Sequence, residues 1–315
     1  MRIPLPAPHT FDRPFPALTP AQRYSFEIHG YVVVPGVLQA DEIASLREAL
    51  YRLRGEILAL EERGAEGPRV RGAYLIADRP HHHFMTNLLQ AHPLLTAYAT
   101  HPRLVGMAEE ILGGEGRLVE INSLINRRPA DPPLDPHPTY PFHRGTDIPF
   151  GSHVRGGLYH CSFVKALTYL TEVGPQDGGT VVIAGSHKVD LPLDQLIGVA
   201  YQDRSLIHQI QAPAGSTLLF AETLIHATGQ IRSDRERIIL VSGYAPVFFP
   251  YWDNGTLSPA FAQSIPPQLR PLFQGRATWK RGPRYRQLTD PADDRTFTLG
   301  VWDQRSPAPD PENKP

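Results

Sequence analysis

Residues 214–244, AGSTLLFAETLIHATGQIRSDRERIILVSGY, contain the pattern that decides the fold class of this chain. Two short runs, Ser216–Phe220 and Arg237–Tyr244, are rich in apolar and β-branched residues, and polar sequence with a glycine separates them, which is typical of strands joined by turns. Three further runs of this kind precede them, at residues 117–126, 159–170 and 179–184. We therefore predict a set of short antiparallel strands.

The first third of the chain carries helical patterns instead. Thr19 and Pro20 suit the N-cap and first turn of a helix that ends at Gly30. A second helix is predicted to begin at Asp41, and a third covers Pro102–Leu112. The second helix has one apolar face, formed by Ile43, Leu46, Leu50 and Leu53. Helices followed by short strands predict a mainly β chain of the α+β class, with the helices packed on an antiparallel barrel or sandwich.

The composition is that of a globular protein, since 41% of the 315 residues are hydrophobic and 20% are charged. The formal net charge of −1 predicts no attraction to a nucleic acid polymer or to an anionic membrane. A single cysteine, Cys161, excludes an internal disulfide and a zinc site built from cysteines. No apolar run reaches membrane-spanning length, and the N-terminus lacks the apolar core of a signal peptide, so we expect a cytoplasmic protein without a membrane partner.

Proline distribution and the change of pattern divide the chain into three parts. Residues 1–17 are predicted to form an extended arm, and residues 18–250 one domain. Within that domain, residues 18–115 are expected to be the helical part and residues 116–250 the β core. Residues 251–315 are a Pro- and Arg-rich extension whose end we expect to be disordered.

Several ordered segments carry residue types suited to chemistry: FHRGTD (142–147), DGGT (177–180) running to AGSHK (184–188), AGST (214–217) and ETLIH (222–226), with Arg237 eleven residues further on. Together with LTPAQRYSFEIHGYVVVPGVLQADEIASLREAL (18–50), they make the chain resemble the phytanoyl-CoA dioxygenase family of Fe(II)- and 2-oxoglutarate-dependent oxygenases. The resemblance covers roughly residues 18–250. It implies a double-stranded β-helix, a jelly-roll or cupin-like core, with the N-terminal helices packed on its outer face.

The resemblance also implies a metal site and a cosubstrate site. Oxygen activation at non-haem iron uses two histidines and one carboxylate on one face of the metal, which leaves positions open for 2-oxoglutarate and O2. His143 and His226 match the two histidines of the family. Arg237 matches the arginine that binds the distal carboxylate of 2-oxoglutarate, a role that the forked guanidinium suits. If residues 237–244 pair antiparallel with the strand of His226, both side chains face the barrel interior.

Each of these three residues also has a purely structural interpretation. His143 lies in a proline-rich loop and fits a surface histidine, His226 fits a buried core histidine, and Arg237 fits one of several solvated arginines. Their occurrence in the family's order, with the family's spacing, favours the site.

One position departs from the family pattern. Where the family has its metal-binding carboxylate, in the H-x-D turn, this chain has Gly145. In halogenases of the wider superfamily the same replacement leaves a metal position to chloride, because glycine fills it neither sterically nor by charge. The resemblance therefore implies an H-x-G, halogenase-like variant that chlorinates an aliphatic C–H bond of a small molecule, with Gly145 as the halide site and chloride as an additional cofactor.

Three alternatives remain open. In the first, Asp147 is the third ligand, since it lies two residues after Gly145 and faces the same side of an extended chain. In the second, water fills the position. In both cases the enzyme would be a hydroxylase. Glu222 precedes His226 by four residues, about 13 Å along a strand, which is too far for easy co-ligation. A catalytically silent binding module is the alternative from a different class.

Weaker predictions concern the surroundings of the metal. Asn122 and Asn126 share one face of a strand and are predicted to hydrogen-bond cosubstrate or substrate. Arg144, beside His143, and Lys165 suit an anionic group of the substrate, although surface exposure is an equal alternative for both. The tract at residues 81–83, HHH, is expected in a loop near the pocket mouth or on the surface, because adjacent side chains cannot all face one ion.

Overall fold

The computed structural model describes residues 18–79, 81–130, 134–145, 151–249 and 257–275. The predicted N-terminal arm, Asp147 and the predicted disordered end of the chain lie outside these ranges.

The described part of the chain contains helices and a larger number of short strands. The helices are α1 (Pro20–His29), α2 (Ala40–Glu62), α3 (Pro93–Ala99), α4 (Pro102–Leu112), α5 (Leu193–Gln202) and α6 (Pro259–Ser264). The strands are β1 (Tyr31–Val34), β2 (Tyr74–Arg79), β3 (His82–Thr86), β4 (Gly116–Asn126), β5 (Ser152–Arg155), β6 (Leu158–Cys161), β7 (Val164–Tyr169), β8 (Val181–Ile183), β9 (Ile207–Gln209), β10 (Thr217–Ala221), β11 (His226–Ala227) and β12 (Arg237–Pro246). None of the described helices has both the length and the apolar character that crossing a bilayer requires.

Two antiparallel sheets form the core. The larger sheet has seven strands in the order β1-β10-β7-β12-β4-β3-β2, and a smaller sheet has the order β11-β8-β9. Side chains of the two sheets meet in one buried cluster, in which Val182 and Ile210 from the side of the small sheet pack with Leu218 and Val241 of the large one. This arrangement confirms the predicted jelly-roll core of a mainly β protein.

The N-terminal helices form as their sequence predicts. Thr19 and Gln22 make a reciprocal capping box at the start of α1, and Gly30 ends the helix in the left-handed conformation, with φ of 78°. Helix α2 begins slightly earlier than predicted, with Gln39 rather than Asp41 at the N-cap. Its predicted apolar face is buried, and α4 packs with it in the largest apolar cluster, against strands of the seven-stranded sheet.

The large sheet also takes strands from the part of the chain before residue 116. Strand β1 pairs with β10 at one edge, and the hairpin of β2 and β3 pairs through β3 with β4 at the other. The first third of the chain therefore supplies both edges of the large sheet. The histidine tract is part of this hairpin, since His82 and His83 are paired residues of β3 rather than loop residues. Strand β3 could not be recognised from its sequence, HHFMT, because pairing with β4, rather than a run of apolar residues, stabilises it.

Part of the predicted C-terminal extension is folded onto the core. Residues 257–275 contribute Phe261, Ile265 and Leu269 to the largest apolar cluster. Arg117 of β4 binds the same segment, because its guanidinium donates a hydrogen bond to the carbonyl oxygen of Phe273 at 3.1 Å, in addition to one to that of Phe249 at 2.8 Å. The described segment is thus an integral layer of the domain.

Candidate active site

A cavity of about 620 Å³ opens between the two sheets. Residues singled out in the sequence line it together, among them His143, Gly145, Asn122, His226 and Arg237. A cavity of this volume is of the size that holds small organic ligands. It brings together residues that lie far apart in the sequence, so it is the candidate active site.

His143 and His226 form a pair on adjacent backbone segments. The N–H of each donates to the carbonyl oxygen of the other at 3.0 Å, and the ring centroids lie 4.3 Å apart. Each Nδ1 lies near a backbone carbonyl, that of Pro141 at 3.1 Å for His143 and that of Leu224 at 2.8 Å for His226. A carbonyl accepts only from a protonated nitrogen, so Nε2 of each ring keeps a lone pair for a metal.

Burial keeps His226 neutral. Its side chain is 8% exposed, and desolvation, which the negative charge of Glu222 only partly offsets, lowers its pKa to about 4. A neutral imidazole is the form that binds metals.

The strand pairing of the late histidine differs from the prediction. Strand β11, which carries His226, lies in the small sheet next to β8, whereas β12, which begins at Arg237, lies between β4 and β7 in the large sheet. The connection between β11 and β12 crosses from one sheet to the other. Both side chains nevertheless line the cavity, because the inner faces of the two sheets oppose each other.

The space beside Gly145 is filled by Glu222. The N–H of Gly145 donates to the carbonyl oxygen of Glu222 at 3.0 Å, and a Cβ built on Gly145 would overlap the Glu222 carboxylate. The expected open halide position is therefore absent in this arrangement.

The segment between Glu222 and His226 differs from the extended strand on which their predicted separation depends. The chain is not extended there, because the N–H of Leu224 donates to the carbonyl oxygen of Ala221 at 2.8 Å and closes a turn. This turn shortens the path to His226, so that Glu222 pairs with Gly145 while His226 pairs with His143.

Glu222 belongs to a buried cluster of charges on the cavity wall. Lys165 lies 3.0 Å from Glu222 Oε1 and also forms an ion pair with Glu120. The side chains of Glu222 and Glu120 are 1% and 3% exposed. Burial is the largest single influence and opposes ionisation of Glu222, but the charge and hydrogen bond of Lys165 together with the neighbouring His226 and His143 outweigh it and hold the pKa of this carboxyl below its ordinary value. The cluster thus holds two carboxylates for one lysine.

Arg237 is a buried cation at another part of the cavity wall. It is 2% exposed, and no carboxylate forms an ion pair with it within the described residues. Its Nη1 donates to the carbonyl oxygen of Gly178, whereas Nε has no hydrogen-bond partner there. Burial lowers its pKa to about 10, so it remains charged at neutral pH. An isolated buried charge is costly unless a counter-ion completes it.

The DGG turn supports this arginine. Asp177 accepts hydrogen bonds from the N–H of Gly174 at 2.7 Å and from the Ser233 hydroxyl at 2.6 Å, which is the usual role of an aspartate in a turn. Gly178 has φ of 63°, and a Cβ there would lie 2.7 Å from the carbonyl oxygen of Gly229. The turn therefore needs glycine, and its carbonyl holds one nitrogen of Arg237.

The two asparagines of β4 have different places. Asn122 lines the cavity, where it accepts from the Thr86 hydroxyl at 2.7 Å and donates to Glu120 at 2.8 Å. Asn126 is absent from the cavity wall. With its amide oriented to satisfy its neighbours, it accepts from Arg237 Nη2 at 3.0 Å.

Arg144 lines the cavity mouth, but its Nη2 donates to the carbonyl oxygen of Val189 at 3.1 Å. Lys165, which was considered as an anion-binding group, is engaged by Glu120 and Glu222. The expectation of an anionic substrate loses the support of this lysine.

Sequence reasoning missed Glu120 and dismissed Glu222, although both line the cavity, and His82, expected near the pocket mouth or on the surface, lines it as well. A signal for the two glutamates was present. Each is an acidic residue inside an apolar stretch, LVEINSL for Glu120 and LLFAETLIH for Glu222. Buried carboxylates are rare unless they are paired or functional. The strand of His82 gave no comparable signal.

The side chains at this site are of the types that bind iron. Two imidazole nitrogens and a carboxylate are the ligands of non-haem Fe(II) oxygenases. Within the described ranges, no three His, Cys, Asp or Glu side chains already converge in metal-ligand geometry. The paired histidines do converge, and Glu222 Oε2 has no hydrogen-bond partner in the part of the chain that the structure describes.

Comparison with known proteins places the chain. Ectoine dioxygenase of Halomonas elongata is 26% identical over 281 residues, which cover 80% of this chain and 76% of that protein. HygX from Streptomyces hygroscopicus, solved with nickel, 2-oxoglutarate and hygromycin B bound, has a TM-score of 0.58 at 24% identity, over 75% of this chain and 90% of that one. EctD from S. alaskensis, solved with 2-oxoglutarate and 5-hydroxyectoine, has a TM-score of 0.53 at 21% identity, over 77% and 86%. The phytanoyl-CoA dioxygenase (PhyH) family model matches residues 26–239. The chain belongs to the phytanoyl-CoA dioxygenase family, among the Fe(II)- and 2-oxoglutarate-dependent oxygenases.

Proposed function

We propose that this protein hydroxylates an aliphatic C–H bond of a small molecule, coupled to the decarboxylation of 2-oxoglutarate to succinate. One atom of O2 enters succinate and the other enters the product as a hydroxyl group, while the lost carboxyl group leaves as CO2. His143 and His226 would hold Fe(II), and Arg237 would hold the cosubstrate. The bound iron would supply the activation of O2.

The buried Arg237 carries this proposal. A guanidinium without a carboxylate partner among the described residues, in the same cavity as a histidine pair, requires an anion that enters with the ligand. The distal carboxylate of 2-oxoglutarate meets this requirement, because it forms two parallel hydrogen bonds with a guanidinium. Gly178 and Asn126 each bind one nitrogen and so fix the direction of the fork.

Hydroxylation is favoured over chlorination by the position of Glu222. Chlorination needs a metal position that a halide can take, and the sequence suggested one beside Gly145. The carboxylate of Glu222 overlaps the position that a Cβ of residue 145 would take. A fixed negative charge there opposes the entry of an anion.

The substrate is proposed to be a small polar molecule. Hygromycin B and 5-hydroxyectoine occupy solved structures of HygX and EctD, and both are small molecules. The cavity wall offers polar groups in Thr86 and Asn122 and apolar ones in Leu124 and Ile239. Such a mixture orients a ligand by a few hydrogen bonds and excludes water by its apolar part.

The test is formation of succinate from 2-oxoglutarate in air with added Fe(II), with and without a panel of small polar molecules. We expect succinate with the native protein and a loss of most of it with Arg237→Gln. The product should gain one oxygen atom from labelled O2, with and without chloride. A chlorinated product would replace hydroxylation by halogenation, and the absence of succinate under all conditions would support the silent binding module.

A further inference from the structure

We propose that Glu222 supplies the carboxylate ligand of the metal, in place of the side chain that residue 145 lacks. The inference rests on the proposed function, because it assumes that His143 and His226 hold Fe(II). The metal site would then take two of its three protein ligands from one five-residue segment, ETLIH (222–226).

The backbone brings the three residues into register. The segment with His143 and Gly145 runs along the segment with Glu222 and His226, and the hydrogen bonds of His143 with His226 and of Gly145 with Glu222 are each 3.0 Å long. A carboxylate on residue 145 would follow its histidine by two positions, as in the family pattern. Glu222 reaches the same place from the opposite segment.

The proposed replacement of a carboxylate on residue 145 by Glu222 explains why residue 145 is glycine. Gly145 is not among the described glycines with positive φ, so its backbone conformation does not require glycine. Space requires it instead, since a Cβ there would meet both Oε2 and Cδ of Glu222. Gly145 and Glu222 are therefore a matched pair, in which the side chain of one occupies the space left by the other.

The charges of the cluster leave one oxygen for a metal. Lys165 holds Glu222 Oε1 at 3.0 Å and also binds Glu120. In the described part of the chain neither oxygen of Glu222 has a hydrogen bond of good geometry, and only Oε1 has an ion-pair partner, so Oε2 has neither. A buried carboxylate oxygen without a partner is unfavourable, and a divalent cation at the neighbouring histidines would complete it. Lys165 would act as a positioning residue that orients the ligand.

The proposal requires the side chain of Glu222 to move. Because no three described side chains already converge in ligand geometry, Glu222 has to turn toward the imidazoles when the metal binds. A glutamate side chain has several rotatable torsions, and its backbone remains fixed by the bond to Gly145.

The experiment measures anaerobic binding of Co(II), as a stand-in for Fe(II), by calorimetry and by the visible spectrum of the cobalt complex. Glu222→Gln, which keeps the shape of the side chain, is expected to lower Co(II) affinity about 100-fold or more and to change the ligand-field bands. Loss of an outer partner typically costs about 10- to 100-fold, and loss of a ligand should cost at least as much.

Glu120→Gln is the matched control. It removes a second buried carboxylate from the same lysine but leaves the proposed ligand, so we expect a loss of less than about 10-fold. An equal loss in Glu120→Gln and Glu222→Gln would mean that total charge, and not ligation, controls binding, and would overturn the proposal.

A ligand exchange gives the second test. Gly145→Asp alone should lower the thermal midpoint, because its side chain overlaps Glu222. The double variant Gly145→Asp with Glu222→Ala should regain both the midpoint and most of the Co(II) affinity, since the carboxylate returns to residue 145.

The variant Asp147→Asn tests the remaining alternative, in which Asp147 is the third ligand. If Asp147→Asn abolishes Co(II) binding and Glu222→Gln binds like the native protein, the third ligand is Asp147 and the inference fails while the proposed function survives. If the native protein binds neither Co(II) nor 2-oxoglutarate, the proposed function itself fails.

Discussion

Arg237 lies directly opposite Asn126 on the paired strands β12 and β4, and its Nη2 donates to the amide oxygen of Asn126 at 3.0 Å. On its other side, Nη1 donates to the carbonyl oxygen of Gly178. Among the residues that the structure describes, neutral groups hold the guanidinium, and they fix its direction without neutralising its charge. This relationship leaves the charge of Arg237 available for an anion, as the proposed role in binding 2-oxoglutarate requires.

Replacing Arg237 should weaken 2-oxoglutarate binding. Arg237→Gln is expected to raise the Kd by about 30- to 150-fold, because a charge-assisted pair of hydrogen bonds contributes about 2–3 kcal/mol. Arg237→Lys keeps the charge but loses the fork, so its loss should be smaller. Calorimetry with 2-oxoglutarate in the presence of Co(II) measures both. Arg235→Gln is the control, since Arg235 pairs with Asp177 and Glu172 and should leave the Kd within about 3-fold; equal losses at 235 and 237 would contradict the assignment.

Asn126→Ala should have a smaller effect of the same kind. The variant removes one neutral partner of Arg237, and such a hydrogen bond contributes about 0.5–1.5 kcal/mol. The Kd for 2-oxoglutarate is expected to rise by up to about 10-fold. In an Arg237→Gln background the same substitution should add little, because the two residues act through one contact. Fully additive losses would show that Asn126 binds a ligand directly.

Gly30→Ala should destabilise the fold strongly. Gly30 has φ of 78°, and an added Cβ would overlap the imidazole ring of His187. Gly36 is a matched control, because it has φ of 62° and nothing lies within 4 Å of an added Cβ. Gly36→Ala should cost about 1–2 kcal/mol from backbone strain alone, and Gly30→Ala should cost about 1–3 kcal/mol more. Urea unfolding compares them; equal costs would show that His187 moves away freely.

Stability should decrease as the pH falls through the range in which free histidine titrates. Burial, assisted by the nearby charge of Arg23, lowers the pKa of His160 to about 4. In the unfolded chain a histidine has a pKa of about 6.5. Between these values only the unfolded state takes up this proton, so His160 lowers the free energy of unfolding by up to about 1.4 kcal/mol per pH unit.

Urea midpoints at pH 7, 6 and 5 measure this loss. His160→Gln should have a flatter dependence over the same range, because it removes one of the groups that titrate differently in the two states. A pH dependence identical to that of the native protein would exclude His160 as a contributor.

Local signals in the sequence predict most of the fold. The cap at Thr19, the stop at Gly30 and the apolar face of α2 depend on residues within a few positions of one another, and they are found as predicted. The hairpin of β2 and β3 could not be predicted in this way. Strand β3 pairs with β4, a contact that no local pattern in its histidine-containing sequence reveals, and β2 joins the sheet only through β3.

The residues of the candidate site could likewise be predicted only in part. His143, His226 and Arg237 could be named because family resemblance preserves their order, and the structure places them around one cavity. The sequence does not favour Glu222 as a metal ligand, because an extended strand between Glu222 and His226 would hold the two residues too far apart. The turn closed by Leu224 and Ala221 invalidates that distance, and turns of this kind cannot be recognised in an apolar stretch. Asp147 remains a prediction.

The pairing of β1 with β10 has a consequence for synthesis of the chain. Strand β10 begins 186 residues after β1, so β1 is synthesised long before its partner. During translation, β1 and the apolar side of α1 must therefore wait without their sheet partner. Contacts between such distant segments form slowly, and unpaired strand edges attract other chains. The edge that completes the barrel is thus also the point at which a nascent chain is most exposed to aggregation.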